Sequence, residues 1–433
     1  MTRENDVRLG GRVWTMLAVL GLVGQVAWTV ENMYLNVFVY ETVSGDPDVI
    51  AGMVAASAAA ATLATLTIGA LSDRLGRRRA FIVAGYLAWG LSTAAFGLVS
   101  VDAVAAVAPF ADAVVATVVV VILLDCVMSF LGSGANDAAF QAWVTDVTRA
   151  ENRGRVESVL AIMPLMSMLL VFGGLDWMTR DGRWSLFFVV IGLLTAAAGA
   201  AAWAFVRDRP ARRQDGAYLA ALVHGLRPRA VRENPRLYLA LSAWCVWGVS
   251  TQIFLPYLII YLEKYLRIEG YALVLGVVLT GASAVSVACG RLIDRVGKAR
   301  FLIPAVLVYA AGLLLMPLAT GMAAVTGTGL VMMSGFMLVL APLGALVRDC
   351  TPPGRAGHVQ GLRMVFAILI PMIVGPFLGA AVIKGADERY VELGVTKHVP
   401  TPGIFLAAAA VLVLIVPPVL ALRRGARTME AVR

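Results

Sequence analysis

Three carboxylates stand where a membrane-spanning chain tolerates them least. Glu31, Asp125 and Asp137 each lie within a long apolar run. An acidic residue in a lipid span costs at least ~2.5–3.5 kcal/mol, so each should face a cavity or a partner. A carboxyl group in a low-dielectric cavity favours its protonated form, which suits proton binding near neutral pH. Glu31 is accompanied by Gln25, Trp28, Asn32 and Asn36. At about 100° per residue, Gln25, Asn32 and Asn36 fall within about 40° of one another, and Trp28 and Glu31 extend that face to one side. The face either lines a cavity or ties this helix to a neighbour through its amides; the cavity reading is preferred. Asp125, Ser129, Gly132 and Asn136 form one stripe of a later run, and Ser133, Asp137 and Gln141 form the next. If that run matches the later run 323–347 in length, it begins near Ile122. Asp125 then lies near the outer surface and Asp137 about 13 Å inside the opposite end, which makes Asp137 the better functional candidate. Trp247 and Gln252 are binding candidates in the second half, because aromatic faces suit sugar rings and apolar solutes. Pro256 and Gly248 let their helix bend.

Other chemistries find no support. No G-x-x-x-x-G-K-S/T phosphate loop occurs, which argues against direct drive by ATP. His224, His358 and His398 are far apart in the chain and no nucleophile–base pattern accompanies them, so no enzyme is expected. Cys126, Cys245, Cys289 and Cys350 are scattered without a C-x-x-C pair, so neither disulfide, metal nor other cofactor is expected.

The elements that must position these residues follow from composition. Hydrophobic residues make up 60% of the 433 and charged residues 15%. Soluble domains hold about 45–50% and about 25%. The net charge of +9 could suggest a nucleic-acid partner, but its distribution argues otherwise. Most of the 36 Lys and Arg residues fall in alternate connections, at 1–12, 72–79, 146–155, 207–236, 291–300, 348–358 and 423–433. This positive-inside pattern predicts a multi-pass protein of the cytoplasmic membrane with both termini in the cytoplasm. The first apolar run is too long for a signal-peptide core and is read as a retained helix. Spans are expected at about 13–39, 49–71, 80–99, a fourth starting between 114 and 122 and ending near 143, 156–175, 185–206, 237–262, 271–293, 301–318, 323–347, 359–383 and 403–422. The expected fold is an all-α membrane protein of 12 transmembrane helices in two six-helix bundles related by pseudo-two-fold symmetry. The first bundle covers 1–206 and the second 236–433. A basic cytoplasmic linker, 207–235, joins them, with a surface helix within 218–226. Arg363, about 8 Å inside its span, snorkels to the cytoplasm.

A duplication supports this division. Gly69, Leu71, Asp73, Arg74, Gly76 and Arg77 recur 221 residues later as Gly290, Leu292, Asp294, Arg295, Gly297 and Lys298. Asp146, Thr148, Gly154 and Val156 recur as Asp349, Thr351, Gly357 and Val359, at an offset of 203. The drop from 221 to 203 places an 18-residue surplus in the first half, assigned to the region of helices 3 and 4. In the loop motif, Gly69 and Gly290 allow close helix packing. Asp73 and Asp294 sit at helix ends, where a carboxylate interacts with a neighbouring helix N-terminus and a basic side chain. Such pairing would hold one side of the protein shut. Arg77–Arg79 are read as enforcing topology.

Paired G-x-L-x-D-R-x-G-R/K loops on a six-plus-six scaffold resemble the major facilitator superfamily of secondary transporters. The resemblance spans essentially the whole chain and implies alternating access to a central site. The stretch from Asn136-Asp137-Ala-Ala-Phe140 through Arg153 is also similar to the glycoside–pentoside–hexuronide:cation symporters. By that similarity Asp137 binds sugar hydroxyls. That branch places cation-binding carboxylates on helix 2, whereas 49–71 holds none, and helix 5 has no Arg to partner the Asp. Coupling then falls to Glu31, Asp137 or Asp125, and a proton is preferred over sodium as coupling ion. The expected activity is uptake of a sugar or similar polar solute by a monomer. The alternatives are efflux of drug-like or lipid-like compounds by cation antiport, and a sensor that binds without translocating.

Overall fold

A backbone in hydrocarbon must satisfy its own hydrogen bonds, so each apolar run forms a helix. The structure is a computed structural model describing residues 9–109, 112–148, 150–208, 228–351, 356–386, 388–392 and 395–430. Twelve helices carry the fold. They are α1 (Gly11–Thr42), α2 (Pro47–Leu75), α3 (Arg78–Leu98), α4 (Ala113–Val147), α5 (Ala150–Gly174), α6 (Trp184–Phe205), α7 (Pro235–Tyr265), α8 (Tyr271–Val296), α9 (Lys298–Leu318), α10 (Met322–Asp349), α11 (Gly361–Ala386) and α12 (Gly403–Arg424). Eleven are long and apolar enough to cross a membrane, and α5 contributes a shorter apolar stretch, Val159–Gly174.

The chain forms two compact units. One comprises Met1–Ser44 and Ala56–Tyr218, the other Gly45–Ala55 and Leu219–Arg433. In the first, α3 and α6 meet at Gly90 and Gly192, where a Cβ on either would stand 2.4 Å from the other's carbonyl oxygen. In the second, α9 and α10 approach as closely at Gly312 and Gly335. Small residues thus set helix contacts in both units, as expected where lipid gives no hydrophobic drive to associate. The surface helix read within 218–226 lies outside the described residues.

Two features differ from the sequence reading. First, α4 begins at Ala113, at the early end of the expected range rather than near Ile122, because Asp112 caps it by accepting hydrogen bonds from the Val114 and Val115 amides at 3.0 and 3.1 Å. At 35 residues it exceeds the 28 of α10, and a short helix, Val101–Val107, precedes it. Asp125 is therefore about 18 Å from the start of its helix rather than near the surface. Second, the polar segment before α12 contains a two-stranded antiparallel hairpin, β1 (Arg389–Glu392) and β2 (Val395–His398), with Arg389 opposite His398.

That hairpin belongs to a polar cluster in the second unit. Lys384, at the end of α11, pairs with Asp46 at 2.8 Å and with Asp48. The His398 amide donates to the Gly45 carbonyl at 3.3 Å. The Tyr257 hydroxyl lies against the carbonyls of Pro47 (3.1 Å) and Pro376 (2.9 Å). Burial alone would push the Asp46 carboxyl up. The hydrogen bonds from Lys384 and the Asp48 amide, with the charges of Lys384 and His398, hold it below the ordinary carboxylate range. A carboxyl depressed in the folded state contributes stability above its unfolded pKa and loses it as pH falls through the folded one. Lys384→Met should therefore lower the melting temperature at neutral pH, by no more than about 1 kcal/mol given the exposure of the pair. That gap should close in acid, below about pH 4. Equal gaps at pH 7 and pH 3 would show that Lys384 acts by packing alone.

Candidate functional site

The carboxylates of the first unit converge through two departures from regular α-helix. In α1 the residues Val30–Tyr34 form a π-helical turn, and in α4 the residues Ser133–Phe140 form a longer one. Each inserts extra residues per turn and frees backbone carbonyls, a disposition common at functional sites. Asn32 and Asn36 serve that backbone. Their Nδ2 groups donate to the Trp28 and Asn32 carbonyls, each at 2.8 Å. Glu31, inside the turn, is held toward α4.

Glu31 is 8% exposed and Asp125 is 1% exposed. Ser129, one turn after Asp125, donates a hydrogen bond to Glu31 Oε1. Ser57 of α2 donates to Asp125. Glu31 Oε2 and Asp125 Oδ1 are buried without hydrogen-bond partners. Asp125 and Asp137 both lie within electrostatic reach of Glu31. Among the described residues no Lys, Arg or His contributes to the environment of either buried acid. A carboxylate buried without a counter-cation is unfavourable by several kcal/mol. The pair is thus a place where a cation or a proton would be welcomed.

Asp137 differs in being only half-buried. It accepts hydrogen bonds from Ser133 Oγ and Asn136 Nδ2, each at 3.1 Å. Asn136 is itself fixed: the Tyr86 hydroxyl of α3 donates to the Leu20 carbonyl (2.9 Å) and shares its proton with Asn136 Oδ1 (2.8 Å). Next to it the Trp28 ring lies 5.2 Å from Trp89, which meets Tyr86 edge-on at 5.6 Å. Trp89 Nε1 is buried without an acceptor. The arrangement places a half-buried carboxylate, backed by the buried Asn136 amide, near the half-buried Trp28 ring, a mix of polar and aromatic groups that suits a polar solute.

Close approach of α1 makes this possible. A Cβ on Gly24 would stand 2.6 Å from Asn136 Oδ1 and 2.9 Å from the Tyr86 hydroxyl. Gly24→Ala should displace both and cost about 1–3 kcal/mol, as overpacking does. Lowered thermal stability together with weaker solute binding is the expected reading. Unchanged affinity would show that Asn136 is not needed in this position.

The remaining candidates are distributed as follows. Gln25 is half-buried and its carbonyl accepts from Thr29. Asn36 is buried and Asn32 exposed, and each bonds a carbonyl one turn earlier in its own helix. Trp247 and Gln252 belong to the second unit. The Trp247 ring packs 4.7 Å from Phe336, and its Nε1 is buried without an acceptor. Gln252 is half-buried and backs onto Gly375. Arg363 is exposed and its guanidinium lies 5.3 Å from the centre of the Trp244 ring.

At the loop motifs, Gly76 and Gly297 both take positive φ, +62° and +88°, so the duplicated sequence yields a duplicated backbone turn. The close packing expected at the preceding glycines is absent from this conformation. A Cβ at Gly69 would meet only Ala138 at 3.8 Å, and nothing lies within 4 Å at Gly290. Arg74, Arg77 and Arg295 are exposed. The residue that organises the first loop is Arg78. It is 7% exposed and bonds Asp73, Ser72 Oγ (2.7 Å) and Asp146 Oδ2 (3.2 Å) together. In the second loop the corresponding position is Ala299, and Lys298 instead makes one bridge to Asp349 at 2.6 Å. The Asp294 side chain lies outside the described residues.

Comparison with known proteins bears on the whole chain. The family model described as Major Facilitator Superfamily matches residues 17–376 and 270–431. No curated protein matches the sequence. Among solved structures, the nucleoside transporter NupG in a mutant form superposes with a TM-score of 0.73 at 12% identity. That match covers 94% of this chain and 99% of that one. NupG without the mutation gives 0.70 at 12%, covering 94% and 98%. A bacterial homologue of the human lysosomal transporter Spinster, inward-facing and unoccupied, gives 0.61 at 14%, covering 96% and 95%. At these identities the likeness is one of fold.

Proposed function

Because the chain belongs to the Major Facilitator Superfamily and is a membrane transporter rather than an enzyme, we propose that it carries out proton-coupled uptake of a small polar organic solute by alternating access. One observation carries the reading: Glu31 and Asp125 are buried side by side in α1 and α4 with no basic partner among the described residues. Taking up a proton relieves that burial, and releasing it restores the cost, so protonation and conformation are linked. Asp137, reachable and flanked by Asn136 and Trp28, is the solute-binding carboxylate. Trp247 and Gln252 are the binding candidates within the second unit. The protein works as a monomer in the cytoplasmic membrane with both termini inside. The paired loop motifs, Asp73 with Arg78 in the first, hold the cytoplasmic side in one of its states. Sodium is the less favoured ion, because α2 offers no carboxylate between its first turn and Asp73.

The solute class is a sugar or a molecule bearing sugar-like hydroxyls. NupG, similar in fold, is a nucleoside transporter, which places nucleosides beside sugars in the panel to be tried. The test is reconstitution in liposomes with imposed proton or sodium gradients. Asp137→Asn should reduce solute affinity by about ten-fold to a hundred-fold, the loss of one or two charge-assisted hydrogen bonds. Equal accumulation by this variant would remove Asp137 from the site, and uptake indifferent to the proton gradient would remove the coupling ion.

A further inference from the structure

The first unit carries a concavity whose lining does not include the carboxylates. A groove of about 450 Å³ runs between α2, α3 and α4. Its walls are Ile68, Phe81, Ala84 and Ala88 with Phe130 and Leu131, and Gly134 and Ala135 form its floor. No charged side chain lines it. Small residues make the depth: a Cβ on Gly85 would stand 2.5 Å from that of Ala135, and one on Gly134 would stand 3.1 Å from Ile68.

Two observations say what fills it. The groove opens among apolar side chains that the rest of the protein leaves uncovered. Leu87 and Leu91 of α3 are 41% and 73% exposed, and Leu123 and Val127 of α4 are 61% and 50% exposed. On membrane-spanning helices such surface faces hydrocarbon. The groove also has one basic end. Ala80, a lining residue, follows three positions after Arg77, the residue just before α3. Arg77 and Arg74 are both exposed there, whereas Arg78 is committed to Asp73 and Asp146. Arginines at the membrane surface attract anionic headgroups, each contributing about 1 kcal/mol.

We propose that this groove binds one acyl chain of an anionic phospholipid, whose phosphate is held by Arg77 and Arg74. The chain replaces the missing side-chain volume along α3, and the headgroup sits over the turn formed by Gly76. The groove floor, Gly134 and Ala135, immediately precedes Asn136 and Asp137 in the π-helical part of α4. A bound chain therefore buttresses the segment that carries the polar site. The lipid site itself depends on no assumption about the transported solute.

The test is native mass spectrometry of the detergent-purified full chain, titrated with phosphatidylglycerol or with phosphatidylcholine of the same acyl chains. The intact protein should retain phosphatidylglycerol with at least a ten-fold preference. Ala84→Phe, which fills the groove from an exposed position, should abolish retention of one lipid molecule. Arg77→Gln should remove the preference while leaving weak binding of both lipids. Should Ala84→Phe fail to fold, Ala88→Leu obstructs the same channel with a smaller side chain and should give the same loss. Equal retention of the two lipids by the intact protein, or unchanged retention by a folded groove-filling variant, overturns the proposal.

Discussion

Liposomes containing the Glu31→Gln protein should exchange solute across the membrane but fail to concentrate it against an imposed proton gradient. Glutamine keeps the acceptor oxygen that Ser129 bonds, so the helix contact survives. What it lacks is an oxygen able to take or release a proton. Without that, no coupling free energy links the gradient to the solute. The accumulation ratio should then fall to about one, while counterflow persists. The groups that face Glu31 sharpen this expectation. They are Asp125, Asp137 and Ser129 of α4, with Cys126 close enough to feel both Glu31 and Asp125. None is basic. Wild-type accumulation should weaken as pH rises and the acids cease to hold a proton, and Glu31→Gln should flatten that dependence. Asp137→Asn should behave differently, losing exchange and accumulation together, because it removes a contact to the solute. If Glu31→Gln concentrates solute as well as the parent protein does, coupling resides elsewhere. Asp125, buried within electrostatic reach of Glu31, is then the next candidate.

That division between two acids was only partly legible in the sequence. The spans themselves were readable because lipid imposes helices on every long apolar run, and the three carboxylates stood out because burial makes them costly. Their relative depth was not readable. It turns on Asp112, a capping residue before an Ala-Val run, whose side chain starts α4 some nine residues ahead of Ile122. Nor was the local winding of α1 readable. A wheel drawn at 3.6 residues per turn groups Asn32 with Asn36, but the chain there passes through a π-helical turn, Val30–Tyr34, in which Asn32 is exposed while Asn36, just after it, is buried. No residue type marks such a turn, which depends on packing against α4. Tyr86 and Trp89 were missed for a related reason. Aromatic residues one turn apart on a membrane helix look like ordinary packing, and only the Asn136 amide on the facing helix reveals the hydroxyl's use. Arg78 was hidden among three consecutive arginines, of equal standing until their partners are known.

Those partners imply a large and selective effect. Arg78→Ala should destabilise the protein by about 3 kcal/mol, the lower end of what breaking a buried ion pair costs. The lower end applies because the Asp146 carboxylate is 23% exposed and water can reach it. Arg78→Lys should recover part of this. A single ammonium can satisfy one carboxylate well, but it cannot match a planar guanidinium that reaches Asp73, Ser72 and Asp146 at once. Removing Lys298 from the second loop should matter far less, within about 1 kcal/mol, since its bridge to Asp349 is a surface pair. Its partners are 31% and 54% exposed. Thermal unfolding of the four proteins in one detergent provides the comparison, with Arg77→Ala as the neighbouring control. Similar losses for Arg77→Ala and Arg78→Ala would mean that net charge at the membrane surface, rather than the three-way clamp, stabilises this end of the first unit. A loss confined to Arg78 would mean that the duplicated loops have diverged: the first ties α2, α3 and α4 into one block through a buried guanidinium, while the second has Ala299 at the matching position and offers the exposed Lys298–Asp349 bridge among its described side chains.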